Sequence, residues 1–204
     1  MIEQPHTSLR GPQIVLLAIN AALVLGFGIV FAIRHNYEFI TYVVVVAVVI
    51  SIVVASMRRV RYATDTLVAM TVWAGLHLAG GGVLVGEGTR LYAVMIYQFP
   101  IELPIFRYDQ LAHIWGFATA ALLTHDLLAG HLRSPLSGKV AVSLVVIMAA
   151  CGFGALNEVI EFMVDSSLPN SGVGGYVNTS LDLCSNLLGA ILGVVYLNVR
   201  RRLV

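Results

Sequence analysis

Asp109 and His113 stand four residues apart in one hydrophobic stretch, Glu158 and Glu161 three apart in a second, and Asp182 and Asn186 four apart in a third. Such spacings put both members of a pair on one face of a helix, about a turn from each other. Imidazole and carboxylate ligands suit Zn, Mn, Fe or Mg, and facing helices that each supply an i, i+3 or i, i+4 pair build metal sites inside bundles. Within hydrocarbon each charged group costs roughly 2.5–3.5 kcal/mol on insertion scales. A cluster of five ionisable residues therefore reads as a site, and a divalent ion among them would offset much of that cost. The chain carries no HExxH, CxxC or P-loop pattern to fix the chemistry further.

The elements that must position these residues are membrane spans. Of 204 residues 58% are hydrophobic and only 11% charged, against about 25% charged in soluble domains. The composition is that of an all-α polytopic membrane protein. Six apolar stretches approach the ~20 residues needed to cross the hydrocarbon core, near 13–33, 39–57, 66–86, 108–128, 140–164 and 180–199. The first is longer than the apolar core of a secretory signal and lacks a small-residue cleavage site, so it reads as a retained helix. The whole chain forms one transmembrane domain, without a soluble domain or a solenoid-type repeat.

Orientation follows from the basic residues. With the N-terminus cytoplasmic, the inside segments hold Arg10, Arg58, Arg59, Arg61, Arg133, Lys139, Arg200, Arg201 and Arg202, leaving Arg34, Arg90 and Arg107 outside. Nine against three is a positive-inside bias, and an even number of spans also returns the C-terminus to the cytoplasm. The expected place is the inner or plasma membrane, as a multi-pass protein. The dispersed basic residues form no patch for nucleic acid. Cys151 and Cys184 lie in apolar runs and imply no disulfide framework.

Chain direction then sets depth. The fourth and sixth spans enter from outside at Asp109/His113 and Asp182/Asn186, and the fifth leaves there at Glu158/Glu161, so the three pairs share one depth just inside the outer face. His77 in the third span lies somewhat deeper and would form the floor. Asp126 falls about 25 Å away at the cytoplasmic end. Gly80, Gly81 and Gly82, and Gly189 with Gly193, would let backbones pack closely. Arg107 at the outer rim is a candidate for holding a phosphate- or carboxylate-bearing substrate, and Asn186 is a second candidate substrate contact. The segment 87–107 with its aromatic residues lies along the outer interface or dips partly into it.

Plainer roles compete. His77 and Asn186 each read as hydrogen-bonding residues between spans, and Asp109 or Asp182 as helix N-terminal residues favoured by the dipole. Glu158 and Glu161, near the end of the fifth span, have no such excuse and need a cation or a proton.

The runs Arg107-Tyr108-Asp109-Gln110-Leu111-Ala112-His113 and Asn157-Glu158-Val159-Ile160-Glu161-Phe162, with Asp182 seven residues before Gly189-Ala190 and the pair Leu76-His77 before glycines, resemble the YjdF-like family of predicted bacterial inner-membrane proteins. The resemblance covers about residues 70–195. Through Asp182, Asn186, Gly189 and Gly193 the last span is more distantly similar to the VanZ-like family, which implies work at the envelope. The chain departs from the YjdF-like pattern four positions before Asp182, where Asn178 replaces an acid. The resemblance supports the choice of residues and implies no established activity.

The leading expectation is a metal-dependent hydrolase or transferase acting on membrane lipid or a lipid-linked small molecule. His77, Asp109, His113 and Asp182 are its ligand candidates, and Glu158 or Glu161 its general base. A proton- or cation-coupled transporter, and a non-catalytic envelope or resistance factor binding lipid or a partner protein, are the alternatives.

Overall fold

The computed structural model describes residues 9–101, 103–130, 140–168 and 174–200. Six helices follow one another: α1 (Gly11–Ile33), α2 (Tyr37–Ser56), α3 (Thr64–Gly82), α4 (Tyr108–Ala129), α5 (Val140–Ser167) and α6 (Tyr176–Arg200). Among them α1, α2, α5 and α6 are long and apolar enough to cross a membrane. Helices α3 and α4 have the length, at 19 and 22 residues, but their composition is more polar. Their buried faces explain this: Thr66 and Thr71 on α3, and Gln110, His113, Thr119, Thr124 and Asp126 on α4, all point inward.

The outer faces are apolar instead. Leu25, Ile29, Ile52, Val145, Met148 and Phe162 stand exposed, an arrangement that water does not tolerate over so large an area and lipid does. The chain is a helical membrane protein.

Two sub-bundles make up the molecule. In the first, Phe31, Phe39, Tyr42, Val46, Leu67, Met70, Ala74 and Leu78 pack α1, α2 and α3 together. In the second, Ala121, Val146, Ala150, Ala190 and Val194 join α4, α5 and α6. Helices α3 and α4 connect the two halves.

Element ends differ from the sequence expectation where glycine and aromatic residues decide. The third helix stops at Gly82, four residues short of the expected end, because the chain turns into a small antiparallel hairpin, β1 (Leu84–Val85) and β2 (Thr89–Arg90). Gly86 and Gly88 hold the positive φ angles of its turn, +57° and +100°. Beyond a single 3-10 turn at Leu91–Ala93, the chain returns through a bridge between Met95 and Arg107. Gly80, Gly81 and Gly82 do not bring backbones together as expected; they make room for the rings of Tyr92, Phe39 and Phe27. The sixth helix begins at Tyr176, so Asp182 lies two turns inside it and does not cap it. Likewise α5 runs on to Ser167, which puts Glu158 and Glu161 well inside a helix and not at its end. Of the connection between the expected fifth and sixth spans, residues 169–173 lie outside the described residues, as do Arg133, Lys139, Arg201 and Arg202.

Candidate functional site

The pairing of α4 with α6 is the most extensive in the molecule, and two small residues explain it. A Cβ on Gly189 would run into the carbonyl oxygen of Ile114, and one on Gly193 would lie 2.6 Å from that of Ala118. Glycines four apart thus form a notch in which one backbone rests on the other. On α5 Gly154 plays a similar part, its missing side chain leaving room for the Asn186 carboxamide.

This close approach converges the polar pairs. On α4, His113 Nε2 is 3.6 Å from Asp109 Oδ1 and 4.0 Å from Asp182 Oδ1 of α6. Its other nitrogen, Nδ1, donates to Asn186 Oδ1 at 2.8 Å. A carboxamide oxygen only accepts, so this bond fixes the proton on Nδ1 and turns Nε2 toward the two aspartates. Such an orienting partner behind an imidazole is the arrangement found around metal-ligating histidines.

Two overlapping groups share His113. Ligand atoms of Asp109, His113 and Asp182 all lie within 4.8 Å of one another, and so do those of His113, Glu158 and Glu161. Three helices therefore supply four carboxylates around one imidazole. Amides hold most of them: Gln110 Nε2 donates to Asp182 Oδ1 at 2.9 Å, Asn157 Nδ2 to Glu161 Oε1 at 2.7 Å, and Asn178 Nδ2 to Asp182 Oδ2 and, at 3.4 Å, to Asp109 Oδ2. Where the YjdF-like pattern has an acid, this chain has a donor shared by two carboxylates. Glu158 is different, because among the described residues neither of its buried oxygens has a hydrogen-bond partner.

His77 is not part of this cluster. Its Nδ1 is 2.6 Å from the Tyr92 hydroxyl, which also donates to the His77 carbonyl oxygen at 3.0 Å. Trp73 stacks on the ring at 5.6 Å, and Tyr42 meets it edge-on at 5.4 Å. An imidazole enclosed in this way borders the site without joining the carboxylates. Asn186 is 1% exposed and sits behind His113, its side-chain oxygen bonded to the ring. Arg107 lines the cavity described next, and its buried Nε has no partner among the described residues.

A cavity of about 680 Å³ opens beside the cluster. Asp109, His113 and Glu161 reach its polar end together with Arg107, Asn178, His77 and the Glu38–Arg90 ion pair, whose atoms are 2.8 Å apart. Asp182 and Glu158 lie behind that wall. Glu38 and Arg90 were not among the residues expected from sequence. They are 52 positions apart, and only the hairpin brings them together.

A family described as "Predicted membrane protein (DUF2238)" matches residues 13–202. The chain belongs to this family. That match is consistent with the YjdF-like resemblance, whereas the more distant likeness to the VanZ-like family finds no support in it. No curated protein and no solved structure matches the chain. What membership establishes is a membrane protein, in agreement with the apolar exterior of the helices.

Proposed function

We propose that this member of the family is a metal-dependent hydrolase or transferase acting on a lipid or lipid-linked substrate. The supporting observation is the Glu158 carboxylate, buried and unpartnered beside His113 and Glu161. A carboxylate held out of water without well-formed hydrogen bonds is stabilised by a proton or a cation. Four carboxylates around one imidazole and an adjacent Arg107 leave the site short of positive charge, and a divalent ion supplies it.

Asp109, His113 and Asp182 are the residues to hold the ion, with Asn186 and Gln110 fixing their orientation. When bound, the ion would polarise a substrate oxygen and make a water reactive near neutral pH. Glu161 reaches the cavity and is the group to take the proton of the attacking water or alcohol. The new bond forms to the carbonyl or phosphoryl centre as the bond to the leaving oxygen breaks, and the proton on Glu161 passes to that oxygen. Arg107 offers a charge-assisted hydrogen bond to a phosphate or carboxylate on the substrate.

In this reading all six helices span the inner or plasma membrane, with both termini cytoplasmic. The nine-to-three distribution of basic residues supports that orientation, and it puts the cluster near the outer face.

The test is elemental analysis of the purified protein in mild detergent, comparing wild type with folded Asp109→Asn and His113→Ala variants. Near-stoichiometric metal in the wild type, lost in both variants, is the expected result. Glu161→Gln should keep the metal and lose turnover against a panel of phospholipid and lipid-phosphate esters. A wild type that binds no metal across Zn, Mn, Fe and Mg overturns the proposal.

A further inference from the structure

Below its polar end the cavity continues along two helices in step. On α2 its wall is formed by Glu38, Tyr42, Val45, Val49, Ile52 and Ser56, and on α4 by Asp109, His113, Gly116, Ala120, Leu123 and Leu127. Both sets advance by three and four residues, so each is a single stripe on one helix face. Both also span 18 residue-to-residue steps, about 27 Å of helix at ~1.5 Å per residue. That is close to the ~30 Å thickness of a bilayer's hydrocarbon core.

Chemistry changes sharply along this length. Among the described residues, charged side chains line the cavity only at its polar end: on the first turns of α2 and α4, at Arg107 just before α4, at Arg90 of β2 and at Glu161 of α5. From Val45 and Gly116 inward the walls are almost wholly apolar, and the hydroxyls of Ser56 and Tyr62 at the far end bond to each other at 2.8 Å. A polar solute would find few partners on that route, because Thr119 and Asn157 are hydrogen-bonded within their own helices, whereas a hydrocarbon chain needs none. Helix α2 packs on α1 and α3, and α5 on α4 and α6. The cavity lies between α2 and α5, and Ile52, Phe153 and Leu156 on its walls are more than half or about half exposed at the molecular surface, so it opens sideways toward lipid.

We infer that the α2–α4–α5 groove is the binding site for one long acyl chain of an anionic phosphate-bearing lipid, entering from the bilayer with its head at Arg107 and the His113 cluster. The inference rests on the lipid substrate of the proposed function and specifies its class. Length and apolarity argue for the chain, and the unpartnered Nε of Arg107 at the polar end argues for an anionic head. A volume of about 680 Å³ falls in the ~300–1,000 Å³ range of ligand pockets, room for one chain and not for a whole two-chain lipid.

The test uses the full chain in phosphatidylcholine nanodiscs, with a long-chain lysophosphatidic acid carrying a photoactivatable diazirine near the end of its chain. Adducts should map to the lower halves of α2 and α4 on their groove faces. Val49→Trp, which fills the groove, should lose most of the labelling. Val48→Trp, one residue away on an exposed face of the same helix, should retain it and also serve as the control for folding. An uncharged monoacylglycerol carrying the same chain should label less than the phosphate, and Arg107→Gln should remove that difference. Labelling spread evenly around α2, or equal loss in both tryptophan variants, would mean annular lipid only and overturn the inference. Labelling is read both in chelator and with added divalent ion, so a groove that takes the chain without metal is seen separately from failure of the metalloenzyme reading.

Discussion

His113 Nδ1 and Asn186 Oδ1, 73 residues apart in the chain, are joined by a 2.8 Å hydrogen bond from α4 to α6. It gives the imidazole one orientation out of the many its χ angles permit, with Nε2 among carboxylates. Asn186→Ala should therefore weaken metal binding by about 10- to 100-fold, the usual cost of losing an orienting partner, while leaving all proposed ligands in place. Asn186→Asp, which keeps the acceptor, should restore much of it. Competition titration against a chelating dye measures both.

Glu158 yields a prediction of opposite sign for stability. In chelator, removing a buried carboxylate relieves the cost of holding it out of water, so Glu158→Met should melt at or above the wild-type temperature. At saturating metal that margin should shrink, because a carboxylate beside the ion tightens its binding and a bound ligand stabilises most the form that binds it most tightly. Thermal melts with and without metal decide this, and an unchanged margin would mean that Glu158 is not near the ion.

The glycine notch can be tested against a glycine with open space around it. Gly189→Ala pushes a methyl group into the Ile114 carbonyl and should destabilise by about 1–3 kcal/mol, with loss of metal because α4 and α6 are forced apart. Gly152→Ala on α5 meets nothing within 4 Å. It should leave the protein unchanged or stabilise it by about 0.5–1 kcal/mol.

At the opposite end of the bundle, Asp126 accepts from the Ala63 backbone N–H at 3.0 Å and from Thr66 Oγ1 at 2.8 Å, tying α4 to the start of α3. Asp126→Ala should cost about 1–3 kcal/mol through the buried donors it strands, without changing metal content. The Asp65–Arg200 pair, 2.6 Å apart but about one third exposed on both sides, should matter less. Arg200→Ala is expected to cost under about 1 kcal/mol and to be sensitive to salt.

Much of the site was legible because helical spacing and span direction are properties of the chain itself. The three polar pairs meet at one level as the alternating directions of α4, α5 and α6 require. His77 borders the cavity but faces Tyr92 and not the carboxylates, because depth alone does not say which way a side chain points, and Tyr92 comes from the turn that follows a hairpin whose Gly86 read as the end of a span. Asn178 and Asn157 each stand four residues before an acid they bond, so the spacing rule that paired Asp182 with Asn186 also finds them when it is applied to the residues preceding each acid. The Glu38–Arg90 pair depends on a fold-back that no periodicity encodes.

The second sub-bundle also has an order of construction. Its acids on α4 and α5 leave the ribosome before Gly189, Gly193 and Asn186 exist, so two helices bearing Asp109, His113, Glu158 and Glu161 must wait in or beside the translocation channel. Asn157 already serves Glu161 from within α5, but only α6 brings Asn178 to Asp109 and supplies the glycine notch in which α4 rests. The last helix therefore completes the second sub-bundle, and a chain stopped before it would leave Asp109 and His113 without the α6 side chains that face them.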